Sequence, residues 1–166
     1  MAVLTLKFTT EHIAIGTGLL LLLIWGSFKT RLINALASFI PSVEGFRSTP
    51  YWDVSRYSWG YGTAAPGATG TITREQAFGD MLSHLLNDYQ TLSNKITRKL
   101  TIKQWTALLS FSYNLGIGNA LQLVPVINTG TDNQLAEKWR KYVYAGGVIN
   151  QDLVLRREKE ITLWLS

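Results

Sequence analysis

The chain reads as an α+β protein, mostly α, with a small β-hairpin lobe, a helical lobe and an apolar N-terminal helix. Three observations predict this. Tyr57, Trp59 and Tyr61 alternate with Ser58, Gly60 and Gly62, the two-residue period of a strand. Beyond residue 72 the apolar positions return at helical spacing, behind two T-x-x-Q segments of the kind that start helices. Residues 13–28 form a run of 16 without a charge. A length of 166 residues suits one core-forming unit better than two.

The uncharged run, IAIGTGLLLLLIWGSF, falls short of the ~20 apolar residues of a spanning helix, and Gly16, Thr17, Gly18, Gly26 and Ser27 dilute it. Three readings compete. A cleaved signal peptide would use Ala35-Leu36-Ala37, but Lys29 and Arg31 intervene. A core helix usually keeps a polar face, and Leu19 to Ile24 has none. A marginal membrane segment is favoured. Lys7 and the α-amino group nearly balance Lys29 and Arg31, so the flanks set no topology. Nothing after residue 30 reads as a second span. The chain therefore divides into an N-terminal segment, 1–31, and a globular domain, 32–166.

Leu32, Ile33, Leu36, Phe39, Ile40 and Val43 follow helical spacing, with Pro41 tightening the last turn and Gly45 ending it. Tyr51-Trp52-Asp53-Val54 supplies a first strand, Ser55-Arg56 a turn, and the alternating aromatics a second strand. That hairpin brings Asp53 and Ser58 near one another. Ala64 to Gly70 is a small-residue loop. Thr73 with Gln76 and Thr101 with Gln104 form capping boxes for two helices. Gly116 and Gly118 break the chain before a short apolar stretch, Leu121 to Ile127. Asp132 is the expected N-cap of a helix over 133–144 that Gly146-Gly147 ends, and Asp152 that of the last helix, 153–165.

Composition narrows the chemistry. There is no cysteine, which excludes disulfides, thiolate nucleophiles and Cys-ligated metals. Two histidines, His12 and His84, poorly supply a His-rich metal centre or a Ser-His-Asp triad. Carboxylates, hydroxyls and Arg must carry any reaction, and no cofactor or metal is expected. The net charge of +5 lies entirely within residues 29–166 and favours anionic partners such as phospholipid surfaces or acidic wall polymer. Residues 95–99 and 138–141 are basic, but no Lys/Arg-rich run has interleaved aromatics, so nucleic acid is not an expected partner.

Glu44 is the residue that spacing singles out. It follows Ile40 by four positions, so its carboxyl projects beside the apolar stripe at a helix end. Such a carboxyl tends to keep its proton near neutral pH, which a general acid requires. Left exposed, it would face the negative end of the helix dipole.

EGFRSTPYWD, residues 44–53, resembles the phage-type lysozymes of glycoside hydrolase family 24, where a catalytic Glu-Gly precedes an Asp by nine positions. Ser58-Trp59-Gly60-Tyr61-Gly62-Thr63 is similar to the family's T-x-G-x-G strand. Leu109 through Gly116 resembles its S-F-x-Y-N-x-G block. Trp139 through Gly147 is similar to W-x-x-A-G-G with two extra residues, and Arg156-Arg157-x-x-Glu160 to its R-R-x-x-E helix. Together these cover most of residues 32–166. The family usually has Thr six residues after the Asp; here Ser58 stands five after, so the turn is one residue shorter. Ser keeps the hydroxyl but lacks the methyl group that restricts its rotamer. Thr63 is the second hydroxyl candidate.

The resemblance implies a lysozyme-like fold and a monomeric muramidase that cleaves the β-1,4 bond between N-acetylmuramic acid and N-acetylglucosamine in peptidoglycan. Glu44 would be the general acid, with Asp53 and Ser58 positioning the attacking water and inversion at the anomeric carbon. Arg156 or Arg157 would approach Glu44, or else form a solvated helix face with Glu160. Tyr61 and Asn114 would line the sugar groove or serve local packing. With the apolar segment, the chain resembles signal-arrest-release endolysins: exported by the host secretion machinery, held in the inner membrane through residues 13–28 facing the periplasm, then released into it for lysis. Alternatives are an endolysin with that segment buried, and a non-catalytic wall-binding or membrane-anchored structural protein of the same fold.

Overall fold

The computed structural model describes residues 26–53 and 56–166. A helix, α1, occupies 26–39 and continues into a 3-10 turn, Ile40–Ser42, with Pro41 in its first positions. Leu32, Leu36 and Ile40 are the stripe that it buries. Val43 and Glu44 both donate their backbone N–H to Ile40 O, at 3.0 and 2.9 Å. Those two bonds wind the chain one last time and set Glu44 against the helical lobe. The rest of segment 13–28 lies outside the described residues. Among the described residues, no helix is long and apolar enough to cross a membrane.

Three antiparallel strands follow in the order β1 (Arg47–Asp53), β2 (Arg56–Gly60), β3 (Thr63–Ala64). Tyr51 pairs with Ser58, Trp52 with Tyr57 and Asp53 with Arg56. The register slips between Arg47 and Tyr51, where Pro50 has no N–H to give the ladder. Ala64 was expected as the start of a loop. It instead pairs with Ser58, as Thr63 does with Trp59, because Gly62, at φ +93°, reverses the chain tightly enough for its N–H to reach Trp59 O at 2.9 Å.

The helical lobe comprises α2 (Arg74–Ser93), α3 (Ile102–Leu115), α4 (Ile117–Leu121), α5 (Val124–Thr129), α6 (Asp132–Trp139) and α7 (Gln151–Leu165). Both expected capping boxes are present, Thr73 with Gln76 and Thr101 with Gln104. Helix α3 is buried continuously from Gln104 to Ser112 and forms the axis of the lobe, with α2 and α7 packed against it. Phe111, Trp139 and Trp164 meet edge-on at ring separations of 5.2 and 5.6 Å, a geometry that aromatic quadrupoles favour.

Three expected boundaries move. Helix α6 is capped by Thr131, not Asp132, through a third Thr/Gln box with Gln134; Asp132 instead accepts from Trp164 Nε1 at 3.0 Å and pairs with Arg98 at 2.8 Å. The helix stops at Trp139, and 144–149 forms a second hairpin, β4 (Tyr144–Ala145) and β5 (Val148–Ile149). Gly146 and Gly147, at φ +59° and +82°, supply the left-handed pair that a two-residue hairpin turn demands. Asn150 caps α7, accepting from Asp152 N and Leu153 N, so Asp152 sits in the first turn.

The sheet meets the helical lobe at Gly60. Its φ is +59°, and a Cβ there would stand 2.6 Å from Ala77 Cβ on α2. Gly60→Ala therefore combines left-handed strain with a clash, and a loss of about 2–4 kcal/mol is expected in urea unfolding. A neutral result would mean that the sheet does not rest on α2 at this point.

Candidate active site

Glu44 lies at the junction of the 3-10 turn and β1, with a side chain 19% exposed. Burial raises its pKa above the ordinary carboxylate value. Arg156 opposes this: its Nη1 donates to Glu44 Oε1 at 2.6 Å. Burial prevails because the same guanidinium is shared. Its Nε donates to Glu160 Oε1 at 3.1 Å and its Nη2 to Ser110 O at 3.2 Å. Glu160, fully buried, adds repulsion that also favours the protonated Glu44.

The alternatives for the Arg pair resolve here. Arg156 is the residue that reaches Glu44. Arg157 is fully buried too, with Nη2 donating to Asn114 Oδ1 at 2.8 Å, Nε 2.8 Å from Glu160 Oε2, and its guanidinium 5.0 Å from the Phe111 ring centre. Neither arginine forms a solvated face. Ser110 Oγ and Trp139 Nε1 complete the set by donating to Glu160 at 2.7 and 3.2 Å. Ser110, Trp139 and Glu160 were not singled out as site residues. The four-residue spacing of Arg156 and Glu160 was the available signal.

Asp53 ends β1 and is half-buried. Directly paired residues share a sheet face, as do alternate residues along one strand. Asp53, Tyr51, Arg56 and Ser58 therefore stand on one face, and Trp52 and Tyr57 on the other. Tyr51 joins the two acids: burial raises its phenol pKa first, and the charges of Asp53 and Glu44 add to that. Ser58 is fully buried, and its Oγ has no hydrogen-bond partner among the described residues.

Thr63 is differently placed. Its Oγ1 lies 3.1 Å from Tyr113 OH, which also donates to Tyr61 O at 3.1 Å. Tyr113 has a single proton, so Thr63 is the donor in the first of these bonds. Tyr113 thereby ties α3 to β3; its position in the S-F-x-Y-N block had given no hint of that role. Tyr61 and Asn114 are engaged locally. The Tyr61 ring is buried and packs 5.5 Å from Phe46, and Asn114 accepts from Arg157. Among the described residues, no group of three or more His, Cys, Asp or Glu is placed to hold a metal.

The model of the family described as Phage lysozyme matches residues 41–160, a span that holds both Glu44 and Asp53. The chain belongs to this family. An endolysin of Bacillus phage B103 is 30% identical over 138 residues, 78% of this chain and 52% of the relative. The chain thus spans about half the length of the Bacillus phage endolysins it matches. A SAR-endolysin of Enterobacteria phage PA-2 is 31% identical over 133 residues, 74% of this chain and 78% of the relative. Among solved structures, the muramidase domain of SpmX from Asticaccaulis excentricus superposes with a TM-score of 0.71 at 26% identity, over 81% of this chain and 95% of that one.

The raised pKa of Glu44 has a consequence for stability. A carboxyl that holds its proton more tightly when folded contributes stability below its unfolded pKa, about 4.3, and loses it as pH rises through the folded value. Glu44→Gln, permanently neutral, is therefore expected to gain stability relative to the parent as pH rises from about 4 to 8, measured by parallel urea titrations. A pH-independent difference would contradict the raised value.

Proposed function

We propose that this chain is a muramidase that hydrolyses the β-1,4 bond between N-acetylmuramic acid and N-acetylglucosamine in peptidoglycan, as an endolysin for host lysis. Glycoside hydrolysis by inversion needs one protonated carboxyl at the leaving oxygen and one ionised carboxylate at a water on the opposite side of the sugar. The single observation that carries the reading is that Glu44 is enclosed and favours its proton while a cation stands 2.6 Å away. Asp53 stands at a strand end, half-buried.

In this mechanism Glu44 gives its proton to the glycosidic oxygen as the bond to the anomeric carbon breaks. Asp53 takes a proton from the attacking water, which forms the new C–O bond from the other side. Glu44 is left as a carboxylate facing Arg156, which balances the new charge until a proton returns. Ser58 is assigned to orient the water with Asp53. It shares that residue's face, and its hydroxyl is not engaged by another side chain, whereas the Thr63 hydroxyl is held by Tyr113.

Residues 1–31 are assigned as a signal-anchor segment and 32–166 as the muramidase domain. Residues 13–28 would be held in the inner membrane after export by the secretion machinery, with the domain facing the periplasm until release. The uncharged run of 16 residues supports this, as does the likeness to a protein named SAR-endolysin.

Glu44→Gln and Asp53→Asn are each expected to lower kcat on purified peptidoglycan by roughly 10²–10⁴-fold, and Ser58→Ala to cost more activity than Thr63→Val. Full activity of Glu44→Gln would refute the hydrolase assignment. Proton NMR of the fresh product should show the α-anomer first, and a β-anomer would mean retention. Fractionation before lysis should place the protein in the membrane pellet, and depolarisation should move it to the supernatant. A protein soluble throughout would leave the anchor without support.

A further inference from the structure

Arg156 carries five N–H bonds in a fixed fork, and arginine commonly meets a carboxylate with two of them in parallel. It does not do so with Glu44. Nη1 reaches Glu44 Oε1 at 2.6 Å and Val43 O at 3.5 Å, Nη2 reaches Ser110 O and Ser110 Oγ at 3.2 and 3.4 Å, and Nε reaches Glu160 Oε1 at 3.1 Å. Glu160 is anchored from three helices. Ser110 Oγ of α3 and Trp139 Nε1 of α6 donate to it, as does Arg157 Nη2 of α7 at 3.2 Å. It cannot follow Arg156 if the guanidinium turns.

We propose that Glu160 is a positioning residue for Glu44: by fixing the Nε edge of Arg156, it restricts the guanidinium to a one-pronged grip on the catalytic acid. This rests on the reading of Glu44 as that acid. A two-pronged Arg–carboxylate pair would hold Glu44 ionised and useless as a proton donor. A site with no cation would leave the carboxylate formed after proton transfer unpaired in a buried place. Glu160 sets the balance between the two. Charge makes the same point: Glu160 acts to keep the proton on Glu44, while Arg156 and Arg157 act to remove it. The remaining titratable groups that bear on Glu44 are the phenols of Tyr51 on β1 and Tyr113 on α3.

Glu160→Gln in the full chain tests this. Without that carboxylate, Arg156 turns wholly to Glu44, whose titration midpoint, read by carboxyl ¹³C NMR, should fall by about one pH unit. Because the acid must be protonated to act, the alkaline limb of the kcat profile on peptidoglycan should move down by the same amount, so the loss of activity grows with pH. An unchanged midpoint, with activity lowered equally at every pH, would show that Glu160 only supports the fold and would overturn the proposal. If Glu160→Gln does not fold, Ser110→Ala carries the test with the opposite sign. Glu160 then loses a neutral donor and draws Arg156 harder, so the Glu44 midpoint and the alkaline limb should rise, and a fall or no change would overturn it. Glu44→Gln separates the two levels: if that variant stays active, the acid assignment fails, whereas an inactive Glu44→Gln with an unmoved Glu44 midpoint in Glu160→Gln fails only the role of Glu160.

Discussion

Arg156 is the constraint around which this molecule is arranged. It is a cation only 7% exposed, and a buried charge is tolerated only when its desolvation is offset by well-placed partners. Those partners come from distant parts of the chain: Glu44 beyond the 3-10 turn, Ser110 in the middle of α3, and Glu160 one turn further along α7. Satisfying the guanidinium therefore docks the last helix on the central one and draws the end of α1 onto both. Aromatic rings border the cluster, with Phe111 beneath the neighbouring Arg157 and Trp139 donating to Glu160.

The two acids owe their difference to where each element ends. Glu44 follows a helix whose last turn is wound inward by bonds to Ile40 O, so its carboxyl is set against the lobe. Asp53 ends a strand and stays half-open. Environment, not residue type, makes Glu44 hold its proton more tightly than an ordinary carboxyl. The hairpin that carries Asp53 is held by contact as well as by its ladder, since Gly60 lets β2 lie directly on α2 and Tyr113 clips β3 to α3.

Much of this was legible in the residues. The spacing of Glu44 from Ile40 announced a carboxyl at the end of an apolar stripe, and the Thr73 and Thr101 boxes announced helix starts because a capping box is a local event between residues three apart. The Thr131 box was equally local but was hidden by the neighbouring Asp132, whose carboxyl is taken by Arg98 and Trp164 from elsewhere in the fold. The Gly146-Gly147 hairpin carried its own turn signature and was read as a helix end, since four short residues of strand give little alternation to detect. What sequence could not reveal was which of two adjacent arginines turns toward Glu44, or that Tyr113 binds the backbone of Tyr61. Both depend on how α3 and α7 rotate against one another, and no nearby spacing encodes that.

Glu44 and Arg156 stand 112 positions apart in the chain. A ribosome has therefore added more than a hundred residues after Glu44 before that carboxyl meets its cation. Until α7 has emerged and docked, the nascent protein has Glu44, Asp53 and the hairpin, but no guanidinium beside the Glu44 carboxyl. The order of synthesis itself thus fixes the order of assembly, and a fragment clipped before Arg156 lacks the partner that Glu44 meets in the fold.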